Sequence, residues 1–168
     1  VMRELSSSVQ DRSSAIRAFS FTGEGDALFA FSPVSPLLAF YAKESPDRPE
    51  PTNRRGHVRL WDVVTRRSVG ELPVNGFCRA IAFSADGTRL LTASGDNEFT
   101  VWSVAEGAKL KSVAFPGPKG FGPRVPLLGR VAVSQDLGLA AQPIGGGQIR
   151  VLNLFSGQEL WTAQAAEE

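Results

Sequence analysis

Residues 81–104 read IAFSADGTRLLTASGDNEFTVWSV, and how this stretch is parsed decides the fold. Apolar and polar residues alternate in three short runs. The breaks between the runs are Asp-Gly and Ser-Gly-Asp-Asn, residue types that favour tight turns. The stretch therefore reads strand, turn, strand, turn, strand. Residues 131–154, VAVSQDLGLAAQPIGGGQIRVLNL, carry the same pattern. Residues 29–42, FAFSPVSPLLAFYA, followed by 56–63, GHVRLWDV, make a third copy with a spacer in its middle.

Spacing turns this likeness into a repeat. From the Ser after the first strand to the large residue ending the third is 18 residues in two copies, Ser84 to Trp102 and Ser134 to Leu152. In the other copy Ser32 to Trp61 is 29, and the 11 extra residues fall in KESPDRPEPTNRR (43–55), rich in Pro and charge. Between copies, Trp61 to Ser84 is 23 and Trp102 to Ser134 is 32, with 9 extra residues in PGPKGFGPRVP (116–126). Without the insertions the period is 41, within the roughly 40–45 of a four-stranded propeller blade. Counting back 22 from Ser32 reaches Gln10, after which AIRAFSF (15–21) reads as a strand that closes a blade.

The expected fold is all-β, with propeller blades of four antiparallel strands, a to d, in an incomplete ring. Residues 1–26 are expected to form a half blade (strands c and d) with a connecting loop. Residues 27–76 are blade one, with a b–c insertion at 43–55. Residues 77–128 are blade two with the following d–a loop at 115–128, and 129–168 are blade three with the C-terminal tail. Three and a half blades do not close a ring. The Val start and the mid-blade opening lead us to expect a fragment, whose remaining blades come from the same longer chain or from a second chain.

VRLWDV (58–63) and IAFSADGTRLLTAS (81–94) resemble the WD-repeat β-propeller family; IRVLNLFSGQEL (149–160) is a weaker match. The resemblance covers nearly the whole chain. It implies blades that present loop faces to other proteins, and a tetrad of His, Asp, Ser or Thr, and Trp within each blade. Trp61-Asp62 stands at the family's Trp-Asp position. Gly56-His57 does not stand at the family's Gly-His position: His57 begins strand c, and the loops where the tetrad His belongs read FTGEGD and VNGFCR. Blade two keeps a remnant, Ser94, Asp96 and Trp102, eight and six residues separating the first two from the Trp. In blade one the Asp position is Arg55; in blade three it is Gly146, and Leu152 replaces the Trp. Apolar packing between blades is thus expected to carry stability.

Composition bounds the function. The chain has 168 residues, 42% apolar and 21% charged, with formal net charge +1, which is globular and recommends neither nucleic acid nor an acidic membrane as partner. Its 17 Gly and 11 Pro exceed the usual share of roughly 12%, as a turn-rich fold requires. No apolar run reaches the roughly 18 residues of a membrane span. One Cys among 168 residues excludes an internal disulfide and points to a reducing, cytoplasmic compartment. With one His and one Cys, no zinc site of the usual ligand count is available. His57 and Cys78 read as a strand residue and a buried small hydrophobe rather than a catalytic pair. Glu24 and Asp26 read as solvated loop charges. GPKGFG (117–122) lacks the spacing of a phosphate loop. No catalytic, cofactor or metal site is expected.

The expected function is a non-catalytic protein–protein interaction scaffold or sensor module, with a protein or peptide as partner. The alternative is a fragment of a quinone-dependent dehydrogenase-like propeller, because FSGQELWTA (155–163) resembles the blade endings of those enzymes; here the motif occurs once. Both insertions leave the same end of the blades, since b–c and d–a connections share one face. The partner is therefore expected to meet Lys43, Arg48, Arg54 and Arg55 of the first loop and Lys119, Phe121 and Arg124 of the second.

Overall fold

In a computed structural model, the structure describes residues 28–43, 55–94, 97–115, 131–145 and 147–164. Twelve strands form three four-stranded antiparallel sheets, each a meander in which every strand pairs with its neighbour in sequence. Blade one comprises β1 (Phe29–Phe31), β2 (Leu37–Lys43), β3 (Arg55–Asp62) and β4 (Arg67–Asn75). Blade two comprises β5 (Cys78–Phe83), β6 (Arg89–Ser94), β7 (Glu98–Ser103) and β8 (Lys109–Ala114). Blade three comprises β9 (Ala132–Val133), β10 (Leu139–Gly145), β11 (Gln148–Asn153) and β12 (Gln158–Gln164). Among the described residues there is no helix, and the three blades do not close a ring. The half blade expected at 1–26 lies outside the described residues.

The core lies between the sheets. A strand shows alternate side chains to opposite faces, so each blade offers one face to the blade before it and one to the blade after. Ala30, Ala39, Tyr41, Val58, Leu60, Leu72 and Val74 of blade one bury against Cys78, Ile81, Phe83, Leu90 and Trp102 of blade two. The other face of blade two, with Ala80, Leu91, Ala93 and Phe99, buries against Val131, Leu137, Ala140, Leu152 and Leu154 of blade three. Blade two is thus covered on both sides. Five of the six residues of its strand β6, RLLTAS, are buried. The fourth strands lie outermost, and β12 is exposed along its whole length.

One irregularity recurs in every blade. The pairing of strands c and d slips by one residue between Leu60 and Trp61, between Val101 and Trp102, and between Val151 and Leu152. Each slip is a β-bulge, which increases local twist. It leaves Val69, Leu110 and Leu160 as the unpaired extra residues, all exposed. A further shift lies between Cys78 and Ala80, so Cys78 joins the blade-one seam with Ile81 and Phe83 while Ala80 faces blade three.

Candidate functional site

The two ends of the blades differ in construction. At one end the turns are short and hydrogen-bonded to one another. The c–d corner of each blade donates a backbone N–H to its own a–b turn: Val63 to Pro36 O, Val104 to Thr88 O and Leu154 to Gly138 O, at 2.8–2.9 Å. Ala85 N–H donates to Gln135 O at 2.9 Å, joining the a–b turns of blades two and three. Side chains cap the same turns. Ser84 Oγ donates to Asp86 Oδ1 at 2.5 Å, and that oxygen also accepts from Thr88 N and Oγ1. Ser134 and Asp136 repeat the device, with Gly138 N as the further donor. These hydrogen bonds to the ionised form hold the Asp86 carboxyl at about 2, and they lower Asp136 likewise. The Asp of the Trp-Asp pair has the same task at the c–d turn. Asp62 Oδ1 accepts from Val64 N and Thr65 N, which lowers its pKa; Asn153 Oδ1 accepts from Phe155 N and Ser156 N in blade three.

The opposite end carries both insertions. Strand β2 ends at Lys43 and β3 begins at Arg55; β8 ends at Ala114 and β9 begins at Ala132. Tyr41, near the end of β2, donates its hydroxyl to Gly76 O in the β4–β5 connection at 3.1 Å. Phe115 N, at the start of the connection to β9, donates to Asn97 O beside the β6–β7 turn at 3.1 Å. The b–c and d–a connections are therefore neighbours. Lys43 and Arg55 mark the two feet of the first insertion, and only their backbone is described. Arg48, Arg54, Lys119, Phe121 and Arg124 lie outside the described residues, as do Glu24 and Asp26.

The tetrad remnant needs one correction. Trp102 is buried in the seam between blades one and two, but its indole Nε1–H donates to Thr92 Oγ1 at 2.9 Å, not to Ser94. Ser94 is buried at the end of β6, and its Oγ has no hydrogen-bond partner among the described residues. Asp96 lies outside the described residues. The reason is register. Leu90 pairs with Trp102 and Thr92 with Thr100, so Thr92 is the diagonal neighbour of the indole on the same face. Ser94 is two residues further along, roughly 6.7 Å away at strand rise. Sequence spacing alone allowed either. Lys109 stacks its ammonium 5.6 Å from the Trp102 ring centre and covers the outer edge of that seam.

The Gly-His pair also acquires a role. A Cβ at Gly56 would overlap the Tyr41 ring, which the core holds buried. Gly56 therefore exists to admit Tyr41, and the Tyr hydroxyl then ties strand b to the next inter-blade connection. His57 pairs with Ala42 and Pro73 in the middle of its sheet. Cys78 is buried, and burial pushes its thiol up to about 12, leaving no thiolate at neutral pH. Among the described residues no three His, Cys, Asp or Glu gather where they could hold a metal ion, and no helix is long and apolar enough to cross a membrane. Trp161, of the FSGQELWTA motif, lies exposed on β12. In blade three the strand b and c positions equivalent to Thr92 and Thr100 are Gln142 and Arg150, both buried. Burial lowers the Arg150 pKa, and Glu159 Oε2 lies 3.7 Å from its Nη1.

No protein-family model matches the chain. Over 49 residues it is 39% identical to the U3 small nucleolar RNA-associated protein 18 homolog of Arabidopsis thaliana, covering 29% of this chain and 9% of that protein. Over 51 residues it is 39% identical to the Periodic tryptophan protein 2 homolog of Schizosaccharomyces pombe, covering 30% of this chain and 6% of that protein. The chain thus spans under a tenth of the length of each. Trp61 and Trp102 of this chain are themselves 41 residues apart, one period. Among solved structures, the computationally designed Ika8 protein superposes with a TM-score of 0.53 at 18% identity, over 80% of this chain and 35% of that one. At that identity the likeness is one of fold.

Proposed function

We propose that this chain is part of a WD-repeat-type protein-interaction scaffold that takes its partner at the end bearing the insertions. The observation that carries the reading is the asymmetry between the two ends. One end is closed by short turns that hydrogen-bond to one another. The other receives both long connections, from adjacent blades, on a rigid frame. Long loops on a rigid scaffold are where binding residues concentrate. Lys43, Arg48, Arg54 and Arg55 against Glu44, Asp47 and Glu50 leave the first loop mildly basic. Lys119, Arg124 and Phe121 give the second a cationic and aromatic character suited to an acidic or amphipathic protein segment.

The relatives are consistent with a place in a larger assembly, one of them being named for association with a small nucleolar RNA. That name points to the nucleolus for that protein rather than to the cytoplasm. The single buried Cys suits any reducing compartment, so we propose a nuclear or cytoplasmic one. The test replaces residues 44–54 and 116–130, each with a short Gly-containing turn. The melting temperature is expected to hold, because no strand is cut, while capture of partner proteins from an extract falls with each loop. Unchanged capture with both loops gone places binding elsewhere.

A further inference from the structure

The c–d turns of the three blades share a backbone design and differ in chemistry. One position of each turn takes the left-handed conformation: Arg66 at φ 56°, Gly107 at φ 64° and Gly157 at φ 74°. Blades two and three put glycine there, which carries no steric penalty. Blade one puts an arginine there and follows it with a second, Arg67, where the other blades have Ala108 and Gln158. The turn itself does not need either side chain, because Asp62 Oδ1 already accepts from Val64 N and Thr65 N. Among the described residues neither Arg66 nor Arg67 is in an ion pair. Backbone strain that two sister turns do without persists where the side chain serves a function.

The two cations stand beside exposed aliphatic side chains. Val64, in the same turn, is 73% exposed. Val34, 64% exposed, lies on the a–b turn of blade one, to which the c–d corner is tied through Val63 N–H and Pro36 O at 2.9 Å. Exposure of the turn does not depend on what lies beside blade one. Blade two has a sheet against each face, and its c–d turn from Ala105 to Ala108 is exposed as well. That turn reads Ala, Glu, Gly, Ala, and its blade-three counterpart reads Phe, Ser, Gly, Gln. Among the described c–d turns, blade one alone joins a pair of cations to exposed valine.

We propose that the c–d turn of blade one is a docking site for an acidic, aliphatic protein segment: Arg66 and Arg67 take its carboxylates, and Val64 and Val34 supply apolar contact. The charge complementarity is specific in kind, since a guanidinium presents a planar fork of donors that matches a carboxylate. The exposed valines favour a polypeptide over a nucleic-acid strand, which offers anions but no aliphatic side chain. Arg66 is thereby kept at the expense of stability, the usual relation between a binding residue and its fold. Neither insertion leaves this end of the blades, so this inference and the loop-face reading fail independently.

The experiment is fluorescence anisotropy of a labelled synthetic peptide, Glu-Leu-Glu-Glu-Leu-Glu, titrated with the whole chain. Saturable binding is expected, weakened several-fold when the Glu residues of the peptide become Gln or its Leu residues become Gly. Arg66→Gly and Arg67→Gln are each expected to weaken binding several-fold. Arg66→Gly is also expected to melt no lower than the wild type, which separates lost recognition from lost folding. The chain without both insertions is expected to bind the peptide as the wild type does. No saturable binding overturns the proposal, as does wild-type affinity in both arginine variants. Binding that disappears with the insertions also overturns it, because the peptide then sits at the other end. So does an oligodeoxythymidylate that displaces the peptide and binds more tightly through the same two arginines, which would make the turn a nucleic-acid contact.

Discussion

Two side chains decide most at the scale of single residues. Trp102 is buried across the seam and tied to Thr92. Truncating a buried Trp to Ala costs about 3–5 kcal/mol, a large share of the roughly 5–15 kcal/mol that holds a domain. Trp102→Ala is expected to abolish cooperative melting. Trp102→Phe keeps the ring but strands the Thr92 hydroxyl, at a cost of about 1–3 kcal/mol. Trp61 is half-buried, with Phe40 at the Thr92 position, so Trp61→Phe is expected to cost less. Equal melting-temperature losses would contradict this assignment. Asp86 adds a pH-dependent contribution to stability. Its carboxyl is held at about 2, below the roughly 3.9 of an unfolded chain. A depressed folded pKa contributes stability above the unfolded value, and the contribution is lost as pH falls from about 4 toward 2. Asp62 and Asp136 shift the same way. Asp86→Asn is therefore expected to flatten the decline in melting temperature between about pH 4 and 2; an unchanged slope would show that the Ser84 and Thr88 bonds do not persist in solution.

Among the elements, the b–c hairpin of blade one and the c–d turns carry the sharpest consequences. Gly56 gives Tyr41 its place in the core. Gly56→Ala forces the ring out and breaks its bond to Gly76 O, a loss of the order of 1–3 kcal/mol by overpacking. The c–d turns need a left-handed residue at one place. Gly107 (φ 64°) and Gly157 (φ 74°) supply it in blades two and three, but blade one has Arg66 at φ 56°. A side chain there costs roughly 1–2 kcal/mol, of which glycine's larger unfolded-state entropy takes back a part. Arg66→Gly is expected to raise stability by about 0.5–1 kcal/mol, and a loss in denaturant melts would refute the strain. Leu137 (φ 58°) occupies the corresponding place in an a–b turn but is 1% exposed in the core, so there packing outweighs the backbone.

At the scale of the molecule, the described residues form three sheets joined by two apolar seams, and their cooperativity depends on the seams. Cys78 lies in the first of them, buried and protonated at neutral pH, which makes it a reporter. It is expected to react with a thiol reagent only as fast as the chain unfolds globally. Labelling while the strand signal by circular dichroism is intact would mean that blades one and two part as separate units.

The sequence by itself determined the strands, their order and the blade period. Those follow from alternation, turn residues and the fixed distance from Ser84 to Trp102 and from Ser134 to Leu152, all local and repeated three times. It also marked where the insertions leave the frame, since Pro-rich charged segments cannot continue a ladder. Only the tertiary structure decided which hydroxyl meets the Trp102 indole, because Thr92 and Ser94 share a face and pairing register alone separates them. Only it showed why Gly56 precedes His57, because Tyr41 arrives from the neighbouring strand. And only it set Phe31, Leu38 and Trp61 apart from Phe83, Leu90 and Trp102. The two triads are identical in residue type and register, and what distinguishes them among the described residues is that a second sheet lies against the blade-two triad.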